Sequence, residues 1–265
     1  SCHHTLWAHN HTRNPKARPN GLLEWTNNVT FDWDIGFIMG DSQTPAAWKA
    51  NVRGNYFICP PGNIRNTPLE KASLDRNGYP NFSVYQDNNL HDRDGDTILD
   101  GTDRGWAIVS GSAYDAATNP TGNYLKLTTP VAGSALLNID SPLLAHKKIV
   151  SDGGALRMDH AYTGTLRDEV DTRLVQNLTT QTANHITRES DLAGVSNGGF
   201  GTFNASTPPI DADKDGMPDS YESALGWNPA TQDHNTTVSG TTFFPAGFPA
   251  PYTRPEEYLH FKSVP

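Results

Sequence analysis

The chain has 265 residues and a formal net charge of -9, an acidic balance that argues against a nucleic-acid partner, whose phosphates demand a basic surface. Hydrophobic residues at 35% suffice for a core despite a mean hydropathy of -0.58, while 23 Gly and 19 Pro require many turns. No apolar run approaches the roughly 20 residues that span a bilayer, and the start lacks the charged and apolar regions of a signal peptide, so the chain reads as a mature or truncated product.

The densest cationic run comes first. His3, His4, His9, His11, Arg13, Lys16 and Arg18 fall within sixteen positions, and Pro15, Pro19 and Gly21 exclude a helix among them. The pattern predicts a strand, a cationic loop and a second strand. On an acidic protein such a loop is a local receptor for anions, small or polymeric.

Short apolar runs beside asparagine follow: Leu6 to Asn10, Asn27 to Phe31, Asn55 to Ile58, and Asn88 to Leu90. Counting Asn10, Asn28, Asn55 and Asn89, the separations are 18, 27 and 34 residues, the size of a solenoid coil. Either stacked coils turn inward at an asparagine corner, or these are the Asn-rich turns of some other β protein. Cys2 and Cys59 allow one disulfide at most and match no metal or redox spacing. The glycosylation pattern N-x-[ST] occurs at Asn10, Asn28, Asn81, Asn177, Asn204 and Asn235, as an Asn- and Thr-rich chain produces by chance.

Asp92, Asp94, Asp96, Asp100 and Asp103 approximate a calcium loop but lack its sixth-place glycine. A strand resumes over Tyr124 to Leu127. Ser141 as N-cap, Pro142 behind it and a closing Gly153-Gly154 predict a short helix that buries Leu143, Leu144, Ile149 and Val150. A second helix is predicted from Thr165, with Leu166, Val170, Leu174 and Leu178 inward and the charges from Arg167 to Arg173 on a solvated face. Gly194 to Pro209 is a Gly/Ser/Asn/Thr-rich linker, which places a domain boundary at 205/206. Beyond it, Asp211-x-Asp213-x-Asp215-Gly216-x5-Glu222 completes the twelve-residue calcium pattern. The aspartates at alternate places converge on one ion, Gly216 permits the turn, Met217 offers its carbonyl, Asp219 acts through water and Glu222 closes the sphere. A helix over Asp219 to Leu225 and the segment Thr253 to Phe261 would pack around the ion as a small appendage of structural role. The alternative is an exposed acidic linker.

Arg13-Asn14-Pro15-Lys16-Ala17-Arg18, followed by Gly21, Glu24 and Asn27-Asn28-Val29, resembles the RxPxxR…G..H..NNV segment of pectate lyases. One extra residue separates Arg18 from Gly21, and Glu24 stands where many members carry His. The resemblance continues through Leu166 to Val175 and Asp211 to Asp219, in the family's order. It implies an all-β fold, a right-handed parallel β-helix over residues 1–205 with short helices, and a calcium-loop appendage over 206–265. It also implies a secreted or periplasmic lyase of pectate-like acidic polysaccharide that works by calcium-assisted β-elimination. Arg13 matches the base and Arg18 the substrate-binding arginine, with Lys16, His9 and His11 as further subsite residues. A free guanidinium loses its proton only above about pH 12, so such a base needs an acidified proton and neighbouring cations. The family holds its catalytic calcium on coils that precede the His3-His4 segment. The chain is therefore expected to need an upstream half, or a neighbouring subunit, at its N-terminal face; the other expectation is a non-catalytic carbohydrate-binding or structural subunit.

Overall fold

The computed structural model describes residues 1–17, 21–39, 48–63, 82–108, 125–133, 138–156, 166–202, 207–238 and 252–263. They fall into two compact units, Ser1–Leu156 with Arg167–Thr202, and Arg157–Leu166 with Phe203–Pro265. Strands dominate the first unit, so the fold is all-β with parallel sheets.

Sheet A runs in the order β1 (Cys2–His3), β4 (Leu22–Thr26), β7 (Trp48–Arg53), β9 (Phe82–Asp87), β12 (Leu125–Lys126), and every pair in it is parallel. Sheet B is β2 (Leu6–Ala8), β5 (Val29–Phe31), β8 (Tyr56–Ile58), β10 (Leu90–Asp92), closed by an antiparallel β11 (Thr102–Asp103). A short third sheet pairs β3 (Lys16–Ala17) with β6 (Ile38–Met39) in parallel. Each coil thus contributes a strand to sheet A, a tight corner and a strand to sheet B.

The corner is built by sequence at two adjacent positions. His4, Asn27, Gly54 and Asn88 occupy its first position with φ of 50, 56, 63 and 49°, a left-handed conformation that Asn and Gly tolerate. At the second, Asn28, Asn55 and Asn89 form a buried ladder. Asn55 Oδ1 accepts from Asn28 N at 2.9 Å, and Asn89 Oδ1 accepts from Asn55 N at 3.2 Å and from Asn55 Nδ2 at 2.8 Å. The amide Nδ2 of Asn55 also donates to Trp25 O and that of Asn89 to Val52 O, which satisfies strand-end carbonyls that the turn would otherwise orphan. Asn10 is not on this ladder. The register Leu6↔Val29 sets Thr5 opposite Asn28, and Thr5 N donates to Asn28 Oδ1 at 3.1 Å.

Strand alternation divides the core. Trp25, Ala50, Val52, Phe57 and Val84 pack inside the coils with Trp33 and Phe37. On the other face of sheet B, Val29, Phe31, Tyr56 and Ile58 meet Ile149 and Leu178, from helices α1 (Pro142–Asp152) and α2 (Glu169–Thr180). Sheet B is therefore buried on both faces, which suits its near-continuous apolar strands.

Three expectations for the helices are corrected. Helix α1 has the expected Ser141 cap, whose side chain accepts from Leu144 N, but it buries Pro142, Ala145, His146 and Ile149 and leaves Leu143 and Leu144 exposed. Helix α2 starts after Asp168, whose carboxylate accepts from Asp171 N; it buries Val175, Asn177 and Leu178, and Leu166 is exposed. Its charges are not a solvated face. Arg167 donates to the carbonyls of Val150, Ser151 and Gly153 at the end of α1, Asp171 accepts from Ala155 N, and Glu169 accepts from Ser196 N and Thr202 N. Both cysteines are free, and burial, followed by Asp92, Asp32 and Asp94, pushes the Cys59 thiol up. Asn28 and Asn177 of the glycosylation pattern are buried. Tyr124 lies outside the described residues.

In the second unit a six-residue helix, α3 (Asp219–Ala224), follows the acidic loop, and β13 (Thr237–Val238) pairs antiparallel with β14 (Tyr252–Thr253) ahead of α4 (Arg254–Ser263). Tyr221 stacks with Tyr258 at 4.8 Å and Phe261 at 5.4 Å between ring centroids, so α3 and α4 share a small aromatic core.

Candidate functional site

The cationic loop leaves β2 at His9 and enters β3 at Lys16. It is pinned to residues 34–38 by Ile35 N to His11 O at 2.9 Å, Asn14 N to Gly36 O at 3.1 Å and Ile38 N to Pro15 O at 2.7 Å. Asn14 is fully buried, and its Nδ2 donates to Ile35 O and Asn10 O. The Asn14–Pro15 peptide bond is cis, and Arg13 sits at φ 68°. A non-glycine residue held in that region marks backbone the surroundings over-determine. The outcome is an exposed Arg13 side chain on a fixed backbone, without hydrogen bond or ion pair to any described residue. Lys16 is also exposed. Arg18 lies outside the described residues.

His9 and His11 diverge. The ring of His11 is exposed and pairs with Asp34 at 2.8 Å. That of His9 is 8% exposed: its Nδ1 donates to Asp32 Oδ2 at 2.5 Å and its Nε2 accepts from Asn177 Nδ2 at 3.0 Å, which fixes the tautomer. Asp32 also accepts from Asn63 Nδ2 at 2.6 Å and Asn184 N at 2.9 Å, and its carbonyl accepts from His185 Nε2. Burial pushes the Asp32 carboxyl up, but His9, the Asn184 N–H and His185 outweigh it and hold the group below its ordinary value. This hub ties the corner after β5 to the segment after α2, and His9 is part of it. On the outer side of sheet A, Glu24 accepts from Arg53 Nη2 at 2.9 Å and from Asn51 Nδ2, while Asn51 also pairs both ways with the backbone of Val131. Among the described residues, then, Asp32, Asp34 and Glu24 are each engaged by a protein cation or amide. His9, Asp32 and His185 bring ligand atoms within 4.8 Å of one another, a mixed nitrogen and oxygen set unlike the all-oxygen shell that calcium takes.

The second unit differs. Asp211 accepts from the backbone of Lys214, Asp215 and Gly216, and Gly216 takes φ 96° at the turn. Carboxylate oxygens of Asp211, Asp213 and Asp215 lie within 4.8 Å of one another, as do those of Asp215, Glu222 and Asp233. Asp219 Oδ1 accepts from Ala212 N at 2.8 Å, which closes the loop, and Met217 is fully buried. Both oxygens of Asp213, both of the fully buried Glu222 and Oδ1 of Asp233 have no hydrogen-bond partner. Burial raises the Glu222 carboxyl and Asp215, Asp213, Asp219 and Asp211 raise it further; Asp213 is raised by burial and Asp215. Leaving such groups unpaired is costly, and an all-oxygen donor set of this kind fits a hard divalent cation. Asp233, which Arg254 also contacts, was not visible as a candidate in the sequence. It lies outside the contiguous loop, and bonds from its own N–H to Asp215 Oδ2 at 3.3 Å and from Gln232 Nε2 to Asp213 O fold it back.

No protein-family model matches the sequence. The chain is 34% identical over 233 residues to "Probable pectate lyase C" of Neosartorya fischeri. It is 33% identical over 245 residues to the protein of that name from Aspergillus flavus, and 31% over 242 residues to that from Emericella nidulans. These alignments take in 86, 90 and 90% of this chain and 47, 50 and 48% of the relatives, so the chain spans about half the length of the curated relatives it matches.

Proposed function

We propose that the chain is a segment of a secreted polysaccharide lyase of the pectate lyase family that cleaves pectate-like uronans by β-elimination. The observation that carries this reading is the presentation of an exposed Arg13, at the position of the family motif that the resemblance assigns to the base, on a clamped loop. The similarity to the fungal relatives over most of the chain supports it. The parallel coils are read as a right-handed β-helix, the hand that parallel crossovers take in about 98% of cases.

In the reaction, Arg13 in its neutral form accepts the C5 proton α to the carboxylate, the electron pair of that C–H bond forms the C4–C5 double bond, and the C4–O bond breaks with its pair going to the glycosidic oxygen, which takes a proton from water. Lys16 and Arg18 hold uronate carboxylates, and the exposed His11 is a further subsite residue. The engaged carboxylates of Glu24, Asp32 and Asp34 do not fit a catalytic calcium. Acidic groups for that ion would come from further coils. Strands β1 and β2 end sheets A and B, and unpaired strand edges invite pairing; we place the upstream half of the protein, or a neighbouring subunit, against them. In the second unit, Asp211, Asp213, Asp215, Met217, Asp219 and Glu222, with Asp233, would hold a structural calcium, which supplies the positive charge that these buried acids lack.

The test is incubation of polygalacturonate with the chain, alone and joined to its upstream half, with unsaturated product followed by ultraviolet absorbance. Product from the joined protein supports the reading. Because Glu24, Asp32 and Asp34 are each engaged within the chain, a second reading for the chain alone is a non-catalytic carbohydrate binder; retention on polygalacturonate without product from either form would establish that instead.

A further inference from the structure

The geometry points to another cation site, for a hard divalent ion of the calcium class, formed by Asp92, Asp94 and Asp100 where the chain turns back at the end of sheet B. It uses none of the residues of the lyase loop or of the loop in the second unit, and it stands whether or not those readings hold.

Sheet B changes direction here. Strand β10 is parallel to β8, whereas β11 returns antiparallel with Leu90 opposite Asp103 and His91 opposite Thr102. The intervening loop doubles back at Gly95 (φ 67°) and Thr97 (φ 76°), with Ile98 N on Asp96 Oδ1 at 2.7 Å. It closes at Gly101, whose N–H donates to Tyr56 Oη at 3.1 Å. A Cβ at Gly101 would come within 2.6 Å of Tyr56 Cε2 and 2.8 Å of Asp92 N, so the returning backbone lies directly on Asp92.

Asp92 is 1% exposed, and neither of its carboxylate oxygens has a hydrogen-bond partner. Its ligand atom and those of Asp94 and Asp100 all lie within 4.8 Å of one another. Oxygens that share a calcium at about 2.3 to 2.6 Å can be no further apart than about 5 Å, so the three can meet one ion without moving a strand. Among the described residues none of the three forms an ion pair. A buried carboxylate without a counter-charge is among the costlier things a fold can retain; here it faces two others. Asp94 and Asp100 are exposed, so the ion can enter from solvent and keep water on its outer side. Burial, then Asp94, Asp100 and Asp96, push the Asp92 carboxyl up to about 7 against the smaller opposing pull of the Asp100 N–H. The ion would staple the loop 93–101 across the last coil.

The experiment counts calcium bound to the whole chain by native mass spectrometry and reads amide exchange over residues 93–103. At calcium about ten times the dissociation constant, opening of this loop, and with it exchange, should slow by about tenfold. Asp92→Asn should hold one ion fewer than the wild type and lose that protection. Asp215→Asn, which disables the loop of the second unit, should leave it intact, so failure of one site is distinguishable from failure of the other. Asp94→Asn, on the exposed side, covers the case in which Asp92→Asn does not fold, and should weaken calcium protection of 93–103 by about tenfold or more. Equal ion counts in wild type and Asp92→Asn, or protection of 93–103 that ignores calcium or the Asp94→Asn change, would overturn the proposal.

Discussion

Replacing Asn55 by alanine removes the middle rung of the corner ladder. Asn28 N–H loses the acceptor it meets at 2.9 Å, Asn28 Nδ2 loses one at 3.3 Å, and the donor to Trp25 O and Asn89 Oδ1 disappears. Asn28, Asn55 and Asn89 are 0, 1 and 0% exposed, so water cannot replace the missing partners without opening the coil. One buried N–H left unsatisfied costs about 1 to 3 kcal/mol, and each of the three further lost bonds about 1; the sum is about 4 to 6 kcal/mol, a large share of the roughly 5 to 15 that holds a domain together. The assay is urea unfolding of the first unit followed by fluorescence of the buried Trp25 and Trp33, with Asn10→Ala as comparison. Asn10 is exposed and donates to Asn14 Oδ1, so its loss should cost at most about 1 kcal/mol. Equal midpoint shifts for the two variants would refute the claim that the ladder, rather than asparagine content, stabilises the coils.

Three further outcomes are expected. Because Asp32 has a folded pKa below its ordinary 3.8, its contribution is present above that value and is lost as pH falls through the lower folded value; the gap in urea midpoint between wild type and Asp32→Asn should shrink on acidification, and a gap that grows would contradict the assignment. Asp215→Ala, or chelation, should raise protease cleavage across 207–228 while the β-coils keep their unfolding midpoint; unchanged cleavage would remove the structural ion. Arg167→Ala should deprive the end of α1 of three carbonyl caps, about 1 to 2 kcal/mol, seen as faster amide exchange over 142–152, and Arg167→Lys should not restore it because a single ammonium cannot reproduce the fork; full rescue by lysine would show a charge effect alone.

What was legible in the sequence was local. The asparagines at 28, 55 and 89 stand out because each stands directly before an apolar residue that opens a short run, Val29, Tyr56 and Leu90, but register between coils decides who joins the ladder, and it selected Thr5 instead of Asn10. The acidic loop reads directly because its residues are contiguous, whereas Asp233 is brought in by tertiary folding. The hub at Asp32 was invisible for the same reason: it joins residues 9, 63, 177, 184 and 185, and no periodic rule links them. Helical periodicity misassigned α1 because sheet B offers a flat, already apolar face. There Ala145 and Ile149, one helical turn apart, pack against the sheet, and Leu143 and Leu144 are left exposed.

The central claim is that Arg13 takes the proton in uronate elimination. The most direct measurement is the initial rate of unsaturated-product formation from polygalacturonate by the protein joined to its upstream half, wild type against Arg13→Ala and Arg18→Ala. Loss of a positioned proton acceptor lowers the rate by about 10² to 10⁴, so Arg13→Ala should fall by that much in kcat while Arg18→Ala chiefly raises KM. Full activity in Arg13→Ala would contradict the account.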